Sequence, residues 1–216
     1  MKYRLAIFDF DGTLADSFPW FLQVLNEAAD TFGFLRASDV ADYDTLRGLH
    51  ARDIGRRLQV PAWKQPLVAR WMRRRMARDI GTISLFPGAG EMLHRLDAAG
   101  VTIAIVSSNS AANIRRVLGP ANAGLVRFYG CGASLFGKRV KLRKVLRDSA
   151  ITAAEALCVG DEVRDLEAAH AEGIAFGAVA WGYTHADALA AHSPAEMFTR
   201  VEEIAERLAD LRASAA

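Results

Sequence analysis

The sequence is poor in several features that mark particular protein classes. It has two cysteines in 216 residues, Cys131 and Cys158, which form neither a metal-type spacing nor a disulfide framework. No apolar run approaches the ~20 residues of a membrane helix; residues 173–183 come closest and are too short. The formal net charge is only +2, from 27 basic and 25 acidic residues. These shortages exclude disulfide-rich, membrane-spanning and strongly nucleic-acid-binding classes.

The remaining composition is that of an ordinary globular protein. Hydrophobic residues make up 51% of the chain and charged residues 24%. Lys2 and Arg4 precede an apolar stretch, but Asp9 and Asp11 interrupt it too early for a signal peptide. We therefore expect a cytoplasmic protein with free thiols. Its length fits one large domain, or one domain with a smaller one inserted.

Strands and helices alternate along most of the sequence. Buried apolar runs predict five strands, at residues 3–10, 101–106, 125–129, 156–159 and 174–181. Helical spacing predicts helices at residues 17–33, 89–99, 110–118, 138–149, 162–172, 185–191 and 195–213. This alternation predicts an α/β fold with a doubly wound parallel sheet, which binds ligands outside the carboxyl ends of its strands.

The stretch between residues 34 and 84 breaks this pattern. It contains no good strand, and three segments have helical character, at residues 38–42, 47–59 and 62–79. Because it falls between the first strand and the next α/β unit, we interpret it as an all-helical insertion.

Two aspartates interrupt the first strand at its carboxyl end. Asp9 and Asp11 are two residues apart, so their side chains point to the same face of an extended chain. Gly12 then allows a sharp turn. Two neighbouring carboxylates repel each other unless a cation lies between them, and a hard divalent ion such as Mg²⁺ is the simplest candidate. The competing interpretation is an ordinary strand followed by an Asp-Gly turn.

A polar cluster follows the second strand, and a lysine precedes a later helix. Ser107, Ser108 and Asn109 offer a hydroxyl and backbone N–H groups that suit a phosphate oxygen, although such residues also cap helices. Lys138 lies at a turn and could neutralise a phosphate, with Lys141 as the second candidate.

Two more carboxylates follow the strand at residues 156–159. Asp161 lies at the strand end, and Asp165 comes four residues later, so both can face one site across a helical turn. Acidic residues are also favoured by the dipole of a helix N-terminus, which is the simpler explanation for each alone. Four successive strand ends with such residues together indicate one catalytic site.

The order of these clusters resembles a known enzyme family. Residues 9–14, Asp-Phe-Asp-Gly-Thr-Leu, followed by Asp16-Ser17, resemble the first motif of the haloacid dehalogenase-like (HAD) phosphohydrolases. The later Ser, Lys and Gly-Asp-x-x-x-Asp elements follow in the order of that family. Residues 86–89 and 181–183, with Leu189, are similar to phosphoglycolate phosphatase-like members.

This resemblance implies a domain division and a Mg²⁺-dependent phosphatase that forms an aspartyl-phosphate. A HAD-type Rossmann-like core would comprise residues 1–15 and 86–216, and residues 16–85 would form an inserted all-α cap. Asp9 would be the nucleophile and Asp11 the proton donor and acceptor, while Ser107 and Lys138 orient and neutralise the phosphoryl group. The metal would be held by Asp9, the backbone carbonyl of Asp11 and Asp161, with Asp165 close by or acting through water. Gly12, Thr13, Ser108 and Asn109 would complete the substrate-binding set.

The resemblance also implies that the cap selects the substrate. Its candidate contact segment is residues 46–52, where Gly48 would let the backbone approach the site and Arg47 could clamp a second anionic group. A glycine at a helix start beside surface arginines explains the segment equally well. We expect a small phosphorylated metabolite as substrate, no nucleic-acid or membrane partner, and a monomer or weak homodimer.

Other functions of the same fold are less well supported by the residues. A phosphosugar mutase usually has a histidine twelve residues after the nucleophile, where Phe21 stands here. A dehalogenase would lack the second aspartate, Asp11. A catalytically silent binding protein would be favoured by the loss of a motif residue, and Asp9, Asp11, Lys138 and Asp161 are all present.

Overall fold

A six-stranded parallel sheet forms the centre of the computed structural model, which describes residues 3–37, 40–47, 51–132 and 137–213. Its strands are β1 Leu5–Phe8, β2 Thr102–Val106, β3 Val126–Gly130, β4 Ala156–Gly160, β5 Ala175–Val179 and β6 Glu196–Phe198. The order across the sheet is β3-β2-β1-β4-β5-β6, and each adjacent pair is parallel. The predicted α/β fold with a parallel sheet is confirmed, with one strand more than the five predicted.

The central strand β1 aligns the carboxyl ends of its two neighbours. Phe8, its last residue, pairs with Ile105 of β2 and with Val159 of β4. The residues that follow these three strands therefore leave the sheet side by side, which is where an open parallel sheet binds its ligands.

Ten helices are described, and five of them, α1 to α5, lie in the sequence between β1 and β2. They are α1 Phe18–Phe32, α2 Val40–Arg47, α3 Ala51–Arg57, α4 Gln65–Asp79, α5 Ala89–Ala98, α6 Ala111–Leu125, α7 Gly137–Ser149, α8 Val163–His170, α9 Ala186–Ala190 and α10 Glu202–Ala213. No described helix is both long enough and apolar enough to cross a membrane.

The two faces of the sheet carry separate hydrophobic cores. In β1, Ala6 and Phe8 face one core while Leu5 and Ile7 face the other, as the alternation of side chains along a strand requires. Helices α5, α6 and α10 cover the first face, and α7, α8 and α9 cover the second. The sheet is thus doubly wound, as predicted.

The prediction of one helix over residues 195–213 was wrong at its beginning. Glu196–Phe198 forms edge strand β6, paired with β5, and the helix starts at Glu202. Phe198 is buried against the sheet, and the Glu203 carboxylate accepts hydrogen bonds from the backbone N–H groups of Thr199 and Arg200. These contacts favour a helix start after Phe198, although no glycine or proline separates the two elements.

Helix α6 is kinked directly after the predicted bounds of 110–118. Gly119 has non-helical angles, with φ of 70° and ψ of 166°, and a second helical part runs on to Leu125. Glycine adopts this positive φ without the steric cost that a side chain would impose, so the chain bends and resumes its helical path.

The helices between β1 and β2 share a small hydrophobic cluster of their own. Its buried residues are Leu25, Ala37, Leu46 and Leu58. The described part of residues 34–84 contains no strand, which agrees with the sequence pattern. The division into a core and an inserted cap at residues 16–85 stays a prediction.

Candidate active site

Buried polar side chains meet at the carboxyl ends of β1, β2 and β4. Asp9 follows β1, Ser107 follows β2 and Asp161 follows β4. All three are buried, and Asp165, in the first turn of α8, is fully buried. The chain thus brings together residues up to about 150 positions apart because parallel strands end at one edge of the sheet.

Lys138 lies between two of these carboxylates. Its Nζ is 2.9 Å from Oδ2 of Asp9 and 2.6 Å from Oδ1 of Asp165. Lys141, the second candidate, instead donates from Nζ to the backbone carbonyl of Ser107 at 2.7 Å and to that of Gly132. The geometry therefore favours Lys138 as the cation of the site.

The pKa values of these carboxyl groups depend on their burial and on the charges of their neighbours. Burial opposes the ionisation of Asp9, but the Lys138 ammonium overcomes it and holds the pKa of Asp9 below its usual range. Burial raises the pKa of Asp165 well above its usual range, and Lys138 only partly opposes this. Burial, with the negative charges of Glu162 and Asp9, raises the pKa of Asp161 to about 8. Lys138 thus favours the ionised form of Asp9, whereas burial favours the protonated forms of Asp161 and Asp165.

Asp161 is held by groups from both ends of the chain. Its Oδ1 accepts a hydrogen bond from Oγ1 of Thr13 at 2.7 Å, and its Oδ2 accepts one from the backbone N–H of Tyr183 at 2.8 Å. A Cβ atom at Gly12 would lie 2.3 Å from Oδ2 of Asp161, and one at Gly182 would lie 2.1 Å from its Cβ. Thr13 thus positions the Asp161 carboxylate. Glycine is required at positions 12 and 182 because Asp161 packs too closely against both backbones to leave room for a side chain.

Asp11 has a separate environment from the lysine cluster. Nδ2 of Asn109 donates to Oδ2 of Asp11 at 3.1 Å. Burial, together with the nearby negative charge of Asp9, raises the pKa of Asp11 to about 6. A carboxyl group of this kind can be protonated in one step of a reaction and ionised in the next.

The residues after β2 are not the cap of the following helix. Ser110 has that role, since its Oγ accepts the backbone N–H of Asn113 at 3.1 Å. Ser107 is buried and accepts the backbone N–H of Asn109 at Oγ, whereas Ser108 is exposed and lines a cavity of about 420 Å³ beside Lys138. The capping interpretation of Ser107, Ser108 and Asn109 is therefore wrong.

The carboxylates fit a divalent cation. Asp9, Asp161 and Asp165 each present an oxygen, and the three oxygens lie within 4.8 Å of one another. Oδ2 of Asp165 is buried and accepts no hydrogen bond from the described residues. Clustered carboxylate oxygens are the ligands that Mg²⁺ prefers. The Asp11 side chain is not in this group, and the metal contact expected through its backbone carbonyl stays a prediction.

Arg47 connects the helical segment to the loop after β5. Its Nη2 donates to the backbone carbonyl of Gly182 at 2.6 Å, and its guanidinium carbon lies 5.4 Å from the ring centre of Phe18. Gly48, the other predicted contact residue, lies outside the described residues.

Sequence reasoning gave no role to Ser17 and Tyr183, which link the helices to the site. Their hydroxyl oxygens are 2.9 Å apart. The centre of the Tyr183 ring lies 5.0 Å from that of Phe18 and 5.5 Å from that of Phe21. The Trp-Gly-Tyr string at 181–183 was noticed only as a family likeness, because no local pattern shows which distant side chains it contacts.

Comparison with known proteins agrees with this fold and site. The sequence profile of the haloacid dehalogenase-like hydrolases matches residues 6–179. The phosphoglycolate phosphatase of Synechococcus elongatus is 34% identical over 194 residues, which cover 88% of this chain and 90% of that protein. The predicted family and its phosphoglycolate phosphatase-like branch are thereby confirmed.

Solved structures share the fold at lower sequence identity. A predicted phosphoglycolate phosphatase from Haemophilus somnus has a TM-score of 0.78 at 22% identity, over 96% of this chain and 98% of that one. A predicted phosphatase from Clostridium acetobutylicum has a TM-score of 0.82 at 17% identity, over 97% and 100% of the two chains. With the profile match and the clustered motif residues, these findings show that the chain belongs to the haloacid dehalogenase-like hydrolase family.

Proposed function

We propose that this HAD-family phosphatase hydrolyses a small phosphorylated metabolite, a phosphoglycolate-like phosphomonoester, through an aspartyl-phosphate intermediate. The observation that carries the proposal is the Asp9–Lys138–Asp165 cluster, with Asp161 and Asp11 beside it, at the carboxyl edge of the sheet. The similarity to the Synechococcus enzyme supports the substrate class.

In the first half-reaction, an Oδ atom of Asp9 attacks the phosphorus atom. The bond between phosphorus and the ester oxygen breaks, and the protonated carboxyl of Asp11 gives its proton to that oxygen, so the product leaves as an alcohol. Lys138 neutralises negative charge on the transferring group, because a carboxylate attacks an anionic phosphate poorly unless that charge is screened.

In the second half-reaction, water attacks the phosphorus atom of the phosphorylated Asp9. The Asp11 carboxylate accepts a proton from this water, the acyl-phosphate bond breaks, and inorganic phosphate and free Asp9 are released. Asn109 holds Asp11 in place for both steps through its hydrogen bond. Ser107 and the backbone N–H groups near it would orient the phosphate oxygens, with Gly12, Thr13 and Ser108 at the edge of the same site.

Asp9, Asp161 and Asp165, with the backbone carbonyl of Asp11, would hold Mg²⁺. The ion would supply positive charge that offsets the charge of the phosphate and of the carboxylates. Thr13 and the Tyr183 backbone fix the orientation of Asp161 for this purpose. Residues 16–85 would act as the cap, and Arg47 would contact the part of the substrate that is not transferred.

A phosphate-release screen over phosphorylated metabolites tests the proposal. Purified protein should release phosphate from at least one small phosphomonoester in the presence of Mg²⁺, and EDTA should abolish this release. The same protein carrying Asp9→Asn serves as the control for contaminating phosphatases. Phosphate release from none of the compounds, or equal release by the variant, would refute the proposal.

Gly182→Ala should weaken Mg²⁺ use because the new methyl group overlaps Asp161. The added Cβ would lie 2.1 Å from the Asp161 Cβ and 2.6 Å from its carboxyl carbon, so the carboxylate or the loop must move. We expect the Mg²⁺ concentration for half-maximal activity to rise at least about tenfold, with a loss of stability of about 1–3 kcal/mol. Phosphate release titrated with Mg²⁺, and denaturant unfolding, measure these two effects.

Gly124→Ala is the matched control. A Cβ at Gly124, in helix α6, would meet no atom within 4 Å, so the Mg²⁺ concentration for half-maximal activity should not rise and the stability should not fall. A Gly182→Ala variant that uses Mg²⁺ as the wild type does would contradict the role given to Asp161.

A further inference from the structure

A second cavity, of about 120 Å³, lies beside the candidate active site. Its walls come from the helical segment, with Phe18, Phe21 and Arg47, from the first turn of α8, with Arg164, and from the loop after β5, with Tyr183. It is much smaller than the cavity of about 420 Å³ beside Lys138, so it suits a small group of a ligand.

The charged groups of this cavity favour an anion. Two guanidinium groups, those of Arg47 and Arg164, face one carboxylate, that of Glu162. Among the described residues, Glu162 is the hydrogen-bond partner of Arg164, through Nη2, and the Arg164 side chain is half exposed. Since a guanidinium carries five N–H donors, most of those of Arg164 are available to a ligand.

Arg47 also keeps a donor without a protein partner. Its Nη2 is used by the Gly182 carbonyl, but its Nε is buried and donates to none of the described residues. A buried donor without an acceptor is costly, so a ligand oxygen that reached it would be bound favourably.

Some residues that line the cavity also contact the candidate active site or lie next to its residues in the sequence. Tyr183 lines it, and the backbone N–H of Tyr183 holds Asp161. Glu162 and Arg164 lie in the sequence between Asp161 and Asp165, both of which belong to the candidate metal cluster. Arg164 also lines the larger cavity that Lys138 lines, so one small molecule could contact both side chains.

We propose that this cavity is a carboxylate subsite, in which Arg164, together with Arg47, binds the carboxylate of a short phosphorylated carboxylic acid. The inference rests on the proposed phosphatase function and specifies its substrate class. The planar fork of a guanidinium matches a carboxylate in a two-point contact. The rings of Phe18 and Phe21 line the same cavity, and Glu162 holds Arg164 in place before the substrate binds.

Two substrates that differ at one group test the subsite. 2-Phosphoglycolate carries a carboxylate where 2-hydroxyethyl phosphate carries a neutral hydroxymethyl group. We expect the wild type to have the higher kcat/KM for phosphoglycolate. Arg164→Met should lower that value about 10- to 100-fold, while the value for hydroxyethyl phosphate changes less than about threefold, and Arg164→Lys should restore part of the loss.

Arg143→Met is the matched control. Arg143 also pairs with a glutamate, Glu172, and its side chain is similarly exposed, but it does not line the cavity. Its replacement should change neither kcat/KM value. Equal losses on both substrates in Arg164→Met, or a wild type with no preference for phosphoglycolate, would overturn the subsite and leave the phosphatase proposal intact.

A binding measurement separates failure of the subsite from failure of the phosphatase proposal. If the wild type hydrolyses neither compound, the metabolite screen decides the phosphatase proposal, and calorimetric titration of the Asp9→Asn variant with Mg²⁺ decides the subsite. The subsite is supported if the Asp9→Asn variant binds phosphoglycolate more tightly than hydroxyethyl phosphate, and if this preference is lost in the double variant that also carries Arg164→Met. Equal binding of the two compounds, or binding of neither, would overturn it.

Discussion

Replacement of Asp9 by asparagine should reduce kcat for phosphate release by about 10³-fold or more, with little change in stability. The amide has nearly the shape of the carboxylate but cannot attack phosphorus, and loss of a covalent nucleophile typically has an effect of this size. Folding should tolerate the change because it removes one of three clustered carboxylates, while Lys138 keeps its contact with Asp165 at 2.6 Å.

Steady-state phosphate release, measured beside a thermal melt, checks both parts of this expectation. Asp97→Asn is the matched control, since Asp97 is an exposed aspartate on helix α5 and its replacement should leave kcat unchanged. An Asp9→Asn protein that melts like the wild type and keeps more than about a tenth of its kcat would show that the nucleophile is another group.

The position of the site could be predicted because its main residues follow continuous apolar strands directly. Asp9 comes immediately after β1, and Asp161 immediately after β4. A buried parallel strand can be recognised from its local sequence. The rule that ligands bind at the carboxyl ends of such strands then predicts that the residues after them lie together in one site. Asp165 was found the same way, because one helical turn separates it from the strand end.

Lys138 was harder to identify because a basic helix surrounds it. Lys138, Lys141 and Lys144 lie on the same helix α7, and composition does not show which one points inward. The structure distinguishes them by their acceptors: two carboxylates for Lys138, backbone carbonyls for Lys141 and the surface residue Asp148 for Lys144.

Other features escaped prediction because they depend on contacts between distant parts of the chain. Thr13 and Tyr183 hold Asp161 from 148 and 22 residues away. Strand β6 has only three residues and lies at the sheet edge, so it exists through its pairing with β5 rather than through a local pattern. Arg164 was noticed only as a variable position between two aspartates.

Lys138→Met should produce the largest loss of stability among these variants when divalent cations are absent. Lys138 is the cation that contacts both Asp9 and Asp165, and all three side chains are at least 87% buried. Methionine fills a similar volume but leaves the two carboxylates without a counter-charge. Breaking a buried ion pair by removing one partner typically costs about 3–5 kcal/mol.

Added Mg²⁺ should restore part of this stability, because the ion binds the folded carboxylate cluster and not the unfolded chain. Activity should still fall by about two orders of magnitude or more, since the phosphoryl group loses the cation that neutralises it. Urea unfolding in EDTA and in Mg²⁺ measures the first effect, and kcat/KM at saturating Mg²⁺ measures the second.

Two further variants show whether the loss arises from unbalanced charge. Lys144→Met removes a lysine from the same helix that pairs with Asp148 at the surface, and it should change neither stability nor activity appreciably. Adding Asp165→Asn to Lys138→Met removes one of the two buried carboxyl groups that Lys138 contacts, so the double variant should be more stable than Lys138→Met alone. If the second substitution lowers stability further, or if Mg²⁺ has no effect on Lys138→Met, the stability of this site does not depend on the balance between its lysine and its carboxylates.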